Sequence, residues 1–400
     1  MVESKFKIKK RDWVLLCFLI SLIIIFTYVW ANHHQKVERA WYVIQLPFIK
    51  STIKCSNNAP EFMYELMEYT ITTQKSMNNQ VVFQSKNGVM HHCESGWEDG
   101  FWGEKKISVN SRFRYASVTK VVTSALILEL INQGKLNLND KLIDLIHIPE
   151  PLDKRINKIT VAMLLNHSAG FDRFKENEPM LLMGVKPYCP TDIAKLAKIK
   201  LDFEPNTQFQ YSNLGYCLLG MIIEKKVGEN FREVADKRYQ LTTKNIIFVN
   251  NDFLEDEIQY DYRFENFYAE FYKDRFDFKE SLSAVGGLSG SAKGMVLVMR
   301  DMLDDKPLNI LSRSNSPCAI YLIDGCYGYA LLPYQERGSN FTIYGKEGYF
   351  PGVETDVFVD DQGSIFALFR GATVPKYSTM VELRKKLYHD LQSHYKIDNK

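Results

Sequence analysis

Ser117 and Lys120 stand three positions apart at the head of an apolar run, Val121 to Ile131, that stops at Asn132-Gln133-Gly134. Apolar residues at Val121, Val122, Ala125, Leu128 and Ile131 keep the three-and-four spacing of a helix. Gly134 sits where a left-handed stop belongs, just past the helix end. A helix beginning near Ser117 sets its hydroxyl one turn from the Lys120 amine, on the same face. Backbone N–H groups and the dipole at such an N-terminus favour negative charge. A serine that must attack a carbonyl and then carry an acyl oxyanion needs those features. Ser-x-x-Lys alone is a loose pattern, so its weight comes from what the rest of the chain supplies.

Two further stretches supply it. Tyr211-Ser212-Asn213 closes the loop Phe203 to Gln210 and precedes a helix-like run, Leu214 to Gly220. A phenol whose pKa is lowered by a nearby ammonium can exchange protons with the serine or the leaving group. Asn213 can hold the lysine and the acyl side chain by hydrogen bonds. The third stretch is Gly345-Lys346-Glu347-Gly348-Tyr349-Phe350-Pro351-Gly352. A cation followed by glycine lets a strand edge approach a substrate closely, with Gly348 adding no side chain there. The N–H groups of Tyr349 and Ser117 are the candidate oxyanion donors.

In this order the three motifs resemble the serine β-lactamase and penicillin-binding protein superfamily, whose signature includes Ser-x-x-Lys and a Lys-Thr-Gly-type strand motif. Tyrosine at the head of the triplet makes the chain look like the class C β-lactamase branch, with its related esterases and D-stereospecific peptidases. Leu164 to Gly170, Val285 to Gly290 and Tyr327-Gly328-Tyr329 also resemble that family, and the likeness runs from about residue 60 to 395. The resemblance implies Ser117 as acylated nucleophile, Lys120 as its activating partner and Tyr211 as acid/base. It implies Lys346 as the strand-motif cation that meets a substrate carboxylate. Glu347 stands where the family usually has threonine, and a carboxylate there is expected to repel a β-lactam's own. A non-catalytic envelope-binding protein that keeps the cleft is the alternative.

These residues need a scaffold. Gln80 to Phe83, Lys86-Asn87-Gly88 and Val89-Met90 read as a hairpin, because Asn-Gly is a strong turn signal. Val353 to Val359, a turn at Asp360 to Gly363, and Ile365 to Phe369 read as another. Helices are expected over Glu61 to Thr73 and Tyr377 to Tyr395, the latter with Val381, Leu383, Leu387 and Leu391 on one face. Helices and loops fill Leu136 to Lys279. The expected fold is α+β and β-lactamase/transpeptidase-like: one antiparallel sheet completed by both chain ends, flanked by helices, beside a mostly helical subdomain.

The N-terminus sets the address. Lys5, Lys7, Lys9, Lys10 and Arg11 precede an apolar run from Trp13 to Ala31. Nineteen residues of helix span about 28 Å, the thickness of a bilayer core. The basic cluster predicts a cytoplasmic N-terminus, and Trp13, Tyr28 and Trp30 fit interfacial aromatics. We therefore expect a basic tail (1–12), a single transmembrane helix (13–31) in the cytoplasmic membrane, a juxtamembrane linker (32–59) and an extracytoplasmic, periplasmic hydrolase domain (60–397). A cleaved signal peptide is the rival, disfavoured by the length of the run and the lack of a small-x-small site. The aromatic-apolar patch Ala40 to Ile49 is too short to cross and either lies at the membrane surface or leads into the domain.

A formal net charge of +2 over 400 residues argues against a nucleic-acid footprint. Six cysteines follow the apolar run and allow fifteen pairings, with Cys55–Cys93 and Cys318–Cys326 foremost and buried free thiols the alternative. The adjacent histidines His33-His34 and His91-His92 lack zinc spacing, and the expected chemistry needs neither metal nor organic cofactor. His167 reads as structural, and the charged aromatic stretch Asp252 to Glu280 as a rim of the cleft. The expected substrates are envelope peptides containing D-amino acids, or small esters and lipids.

Overall fold

The computed structural model describes residues 9–175, 180, 186–252, 254–258, 276–303, 306–313, 318–323, 325–371 and 377–397. The chain opens with α1 (Lys10–Ser51), followed by β1 (Lys54–Cys55), α2 (Glu61–Thr72) and the hairpin β2 (Asn78–Gln84) and β3 (Met90–Ser95). Then come β4 (Phe113–Arg114), α3 (Thr119–Asn132), α4 (Leu214–Val227), β5 (Ile247–Phe248), β6 (Leu288–Gly290) and α5 (Ala292–Met302). The chain closes with β7 (Leu332–Tyr334), β8 (Ile343–Phe350), β9 (Val353–Asp360), β10 (Ile365–Gly371) and α6 (Tyr377–Tyr395).

Both hairpins form where the turn residues direct them. Gly88 takes φ +84 and its N–H reaches Ser85 O, while Gly363 takes φ +87 and bonds Asp360 O. Only glycine enters that left-handed region freely. The antiparallel sheet runs β1-β3-β2-β10-β9-β8-β7. Its centre joins the two ends of the domain, with Ala367 of β10 opposite Val82 of β2 and Val357 of β9.

Alternation along each strand feeds two cores. Val82, Val357, Val359, Ile365, Ala367 and Phe369 face the larger core, which contains α3, α4 and α5. Val81, Phe83, Phe358, Phe366 and Leu368 face the other, which contains α2 and α6. With both faces covered, β2, β9 and β10 are buried along their whole length.

The folded domain begins earlier than residue 60. Leu46 and Ile49 near the end of α1 enter the second core, and β1 pairs with β3 as the sheet's outermost strand. Cys55 lies opposite Cys93 and is disulfide-bonded to it. Beyond the kink at His33, the expected linker 32–59 is helical to Ser51 and then joined to the sheet through β1. Cys318–Cys326 is also bonded, as is Cys189–Cys217, a pair the spacing did not single out. Within α1, Lys10–His34 is long and apolar enough to cross a membrane, and the rest of the protein buries none of its most apolar stretch.

Candidate active site

Ser117 rides on a turn anchored by a second, three-stranded sheet, β4-β6-β5. Phe113 and Arg114 pair with Gly290 and Ser289, and Tyr115 N–H donates to Leu288 O at 2.9 Å. Ala116 then takes φ +46, a region that costs an L-residue about 1–2 kcal/mol. Such strain persists only where the surroundings over-determine it. Here Tyr115 O accepts from both Val118 N–H (3.0 Å) and the Thr355 hydroxyl (2.8 Å), which fixes the turn against β9. The turn runs directly into α3. That helix is buried on all sides rather than along one stripe, and only Glu129, Ile131 and Asn132 escape.

Lys120, fully buried on α3, has three N–H donors and three acceptors. Its Nζ lies 3.2 Å from Ser117 Oγ, 2.9 Å from Asn213 Oδ1 and 3.0 Å from Val285 O. The Tyr211 hydroxyl donates to Ser117 Oγ at 2.8 Å. The triplet divides its labour by position. Ser212, not Asn213, takes up a free N–H of α4, accepting from Gly215 at 3.1 Å. The Asn213 side chain is thereby left to Lys120 and Tyr211 to Ser117.

Lys346 on β8 is buried, with Nζ 3.5 Å from Tyr211 Oη and 4.6 Å from the centre of its ring. Lys120 Nζ lies 5.1 Å from the same ring. Gly348, next on that face of the strand, closes the site. A Cβ there would stand 2.2 Å from Tyr115 O, 2.5 Å from Thr355 Oγ1 and 3.1 Å from Ser117 N, so only glycine lets β8 approach the nucleophile's backbone. Lys120 and Tyr211 thus touch the Ser117 hydroxyl, Asn213 bonds the first and Lys346 reaches the second, and Gly348 lies against the Ser117 backbone with Tyr349 the next residue along.

Glu347 departs from the sequence expectation. Strand alternation turns it away from Lys346 and Gly348, and Arg384 of α6, itself buried, holds its carboxylate in an ion pair. Its charge is committed behind β8 and does not confront a substrate carboxylate.

Three residues beyond those motifs complete the site. His167 is buried at φ +58, and its Nδ1 accepts from Ser212 N–H at 3.1 Å. Its ring lies 4.3 Å from Tyr211 and 4.6 Å from Tyr327. Burial, reinforced by Lys346, Lys120 and Arg173, holds its pKa well below the ordinary 6.5, so the ring is neutral. Tyr327 is buried 5.0 Å from Lys346 Nζ, and desolvation raises its pKa well above 10. Exposed Arg173 places its guanidinium 4.9 Å from the Tyr211 ring centre. The stretches Leu164 to Gly170 and Tyr327 to Tyr329 marked the first two by resemblance alone; nothing local to the sequence marks Arg173. Most of the expected rim, Asp252 to Glu280, lies outside the described residues.

The sequence profile of the Beta-lactamase family matches residues 80–369. The chain belongs to the β-lactamase family. It is 54% identical over 378 residues, 94% of this chain and 96% of the relative, to a Dichelobacter nodosus protein named as fimbrial assembly protein FimD of serogroup D. The D-amino acid amidase of Ochrobactrum anthropi SV3 shares the fold at a TM-score of 0.66, with 17% identity over 84% of this chain and 98% of that one. A Streptomyces D-stereospecific amidohydrolase superposes at 0.58, with 20% identity and coverages of 78% and 94%. These likenesses establish the β-lactamase/transpeptidase-like fold with its antiparallel sheet and flanking helices.

Proposed function

We propose that this β-lactamase family member is a serine hydrolase, anchored in the cytoplasmic membrane by Lys10–His34 with its N-terminus inside and its domain in the periplasm. The observation that carries the reading is Ser117 Oγ held between Tyr211 Oη at 2.8 Å and Lys120 Nζ at 3.2 Å. With one proton absent from the coupled Lys120–Tyr211 pair, Ser117 attacks an ester or amide carbonyl while its own proton passes to that pair, which acts as one titrating unit. The N–H groups of Ser117 and Tyr349 receive the oxyanion. The tetrahedral adduct collapses as the same pair protonates the departing alcohol or amine. Water then attacks the acyl-enzyme and gives its proton to that pair, and Ser117 leaves as a hydroxyl. Asn213 holds Lys120 in place. Lys346 and Arg173 favour negative charge on Tyr211 and on a substrate carboxylate.

Amides and peptides of D-amino acids are the favoured substrates, supported by the two amidases named above. The fimbrial assembly name of the relative supports an envelope location. The same name favours a second reading, a β-lactamase-like envelope binder without turnover. Intact-mass spectrometry of the full chain with a penicillin and with a fluorophosphonate separates the two. One inhibitor mass added to the wild type but not to Ser117→Ala supports the hydrolase, and penicillin labelling points to peptidoglycan-type peptides. Folded wild type that takes neither label sinks the catalytic reading and leaves the binder.

A further inference from the structure

An exposed aromatic cluster lies outside the Ser117 site. Trp41, Ile44 and Phe48 of α1 follow three-and-four spacing and are 49%, 56% and 46% exposed. The adjoining face of the same turns, Gln45, Leu46 and Ile49, is buried against the domain. The turn after β3 adds Trp102, 68% exposed. Phe101 unites the group, with ring centres 6.1 Å from Trp41, 5.8 Å from Phe48 and 4.7 Å from Trp102. The turn is built to present these rings. Glu98 N–H bonds Lys105 O, Ile107 N–H bonds Gly96 O, and Trp102 is held at φ +58. Exposed rings grouped from two separate segments mark an interaction surface.

The course of α1 identifies what covers it. His33 leaves helical geometry (φ −143, ψ 23) where the apolar stretch Lys10–His34 ends. A straight helix would carry Phe48 about 21 Å beyond His34, clear of the headgroups. A bend at His33 lets the following segment run along the surface, as an amphipathic interfacial helix does. Tryptophan, with a large apolar body and one N–H, is suited to that layer.

We propose that the segment His34–Ser51 and the turn bearing Trp102 form a dock for the lipid surface, seating Trp41, Ile44, Phe48 and Trp102 among the headgroups of the leaflet from which the span emerges. The domain then rests on the membrane instead of swinging from a tether. This inference rests on reading Lys10–His34 as a membrane span.

The test uses the full chain reconstituted in phosphatidylcholine–phosphatidylglycerol vesicles, with lipids brominated at a shallow acyl carbon as quencher. The chain has five tryptophans. Two variants retain only Trp102 or only Trp30, with Phe at the other four positions and folding checked by circular dichroism. The expected result is loss of about half the Trp102 emission, as for an interfacial ring, alongside quenching of Trp30. Quenched Trp30 with unquenched Trp102 overturns the dock and leaves the span standing. Neither quenched overturns the span and the dock with it. Trp102 protection that changes with protein-to-lipid ratio assigns the patch to a second copy and also overturns the proposal.

Discussion

Gly348→Ala tests the proposed oxyanion geometry more sharply than removal of any side chain, because it alters no titratable group. The added methyl would lie 2.2 Å from Tyr115 O, 2.5 Å from Thr355 Oγ1 and 3.1 Å from Ser117 N. Contacts to carbon normally begin near 3.5 Å, so β8 and the Ser117 turn must part by about 1 Å. Two of those three atoms are backbone, and the third is the hydroxyl that bonds Tyr115 O, so no flexible side-chain end can absorb the strain. A misplacement of about 1 Å costs roughly a hundredfold in rate, and loss of one oxyanion donor costs about 10²–10³. The expected outcome is therefore a fluorophosphonate labelling rate about 10²–10³ below wild type, with overpacking costing about 1–3 kcal/mol of stability. Time-resolved intact mass gives the rate, and urea unfolding shows that the variant is folded under the assay conditions. A folded Gly348→Ala protein that labels within threefold of wild type refutes the placement of the Tyr349 and Ser117 N–H groups at the oxyanion.

Lys120→Met removes the amine beside Ser117 together with its bonds to Asn213 Oδ1 and Val285 O; labelling should fall at least about 10³-fold, and retained labelling would exclude Lys120 from activation. His167 stays neutral in the fold while an unfolded histidine protonates near 6.5, so this residue makes stability fall as pH drops below that value towards its depressed folded pKa. His167→Gln should flatten the slope of urea-unfolding free energy between pH 7 and 5, and an unchanged slope would contradict the assignment. Arg384→Met leaves Glu347 without its partner and should cost about 3 kcal/mol, with Glu347→Gln in the same chain restoring most of it. A thermal melt of the single and double variants reads this directly, and equal melting of single and double variants would refute the pairing. Ala at both Cys189 and Cys217 opens a loop with a sequence separation of 28 and should cost about 3–4 kcal/mol under non-reducing conditions.

Local signals in this chain are strong where local physics decides structure. Asn-Gly and Asp-Gln-Gly turns fixed both hairpins, because few residues enter a left-handed turn and the flanking strands alternate. The run after Ser117 reads as helix from its spacing, and a three-residue separation at that helix's head is enough to pair Ser117 with Lys120. The apolar run that forms most of Lys10–His34, and the order of the three motifs, are likewise properties of the chain alone.

What the sequence could not contain is which face each residue meets, since that depends on partners far along the chain. Glu347 reads as a charge in the cleft until Arg384, 37 residues on, claims it from behind the strand. Ser212 takes the α4 N–H while Asn213 reaches Lys120, 93 residues earlier in the chain, a division of roles that only the fold decides. His167 reads as structural from the chain alone; only the fold buries it beside Tyr211, where burial, reinforced by three cations, holds it neutral. Arg173 has no sequence signature, and the aromatic-apolar patch Ala40 to Ile49 shows only half of the surface around Phe101, whose other rings come from a separate segment. Residue types and spacing determined the chemistry available to this protein and the elements that carry it. Tertiary packing decided which charges face the nucleophile, because burial and contact are set by the sheet's two faces and not by neighbours in the chain.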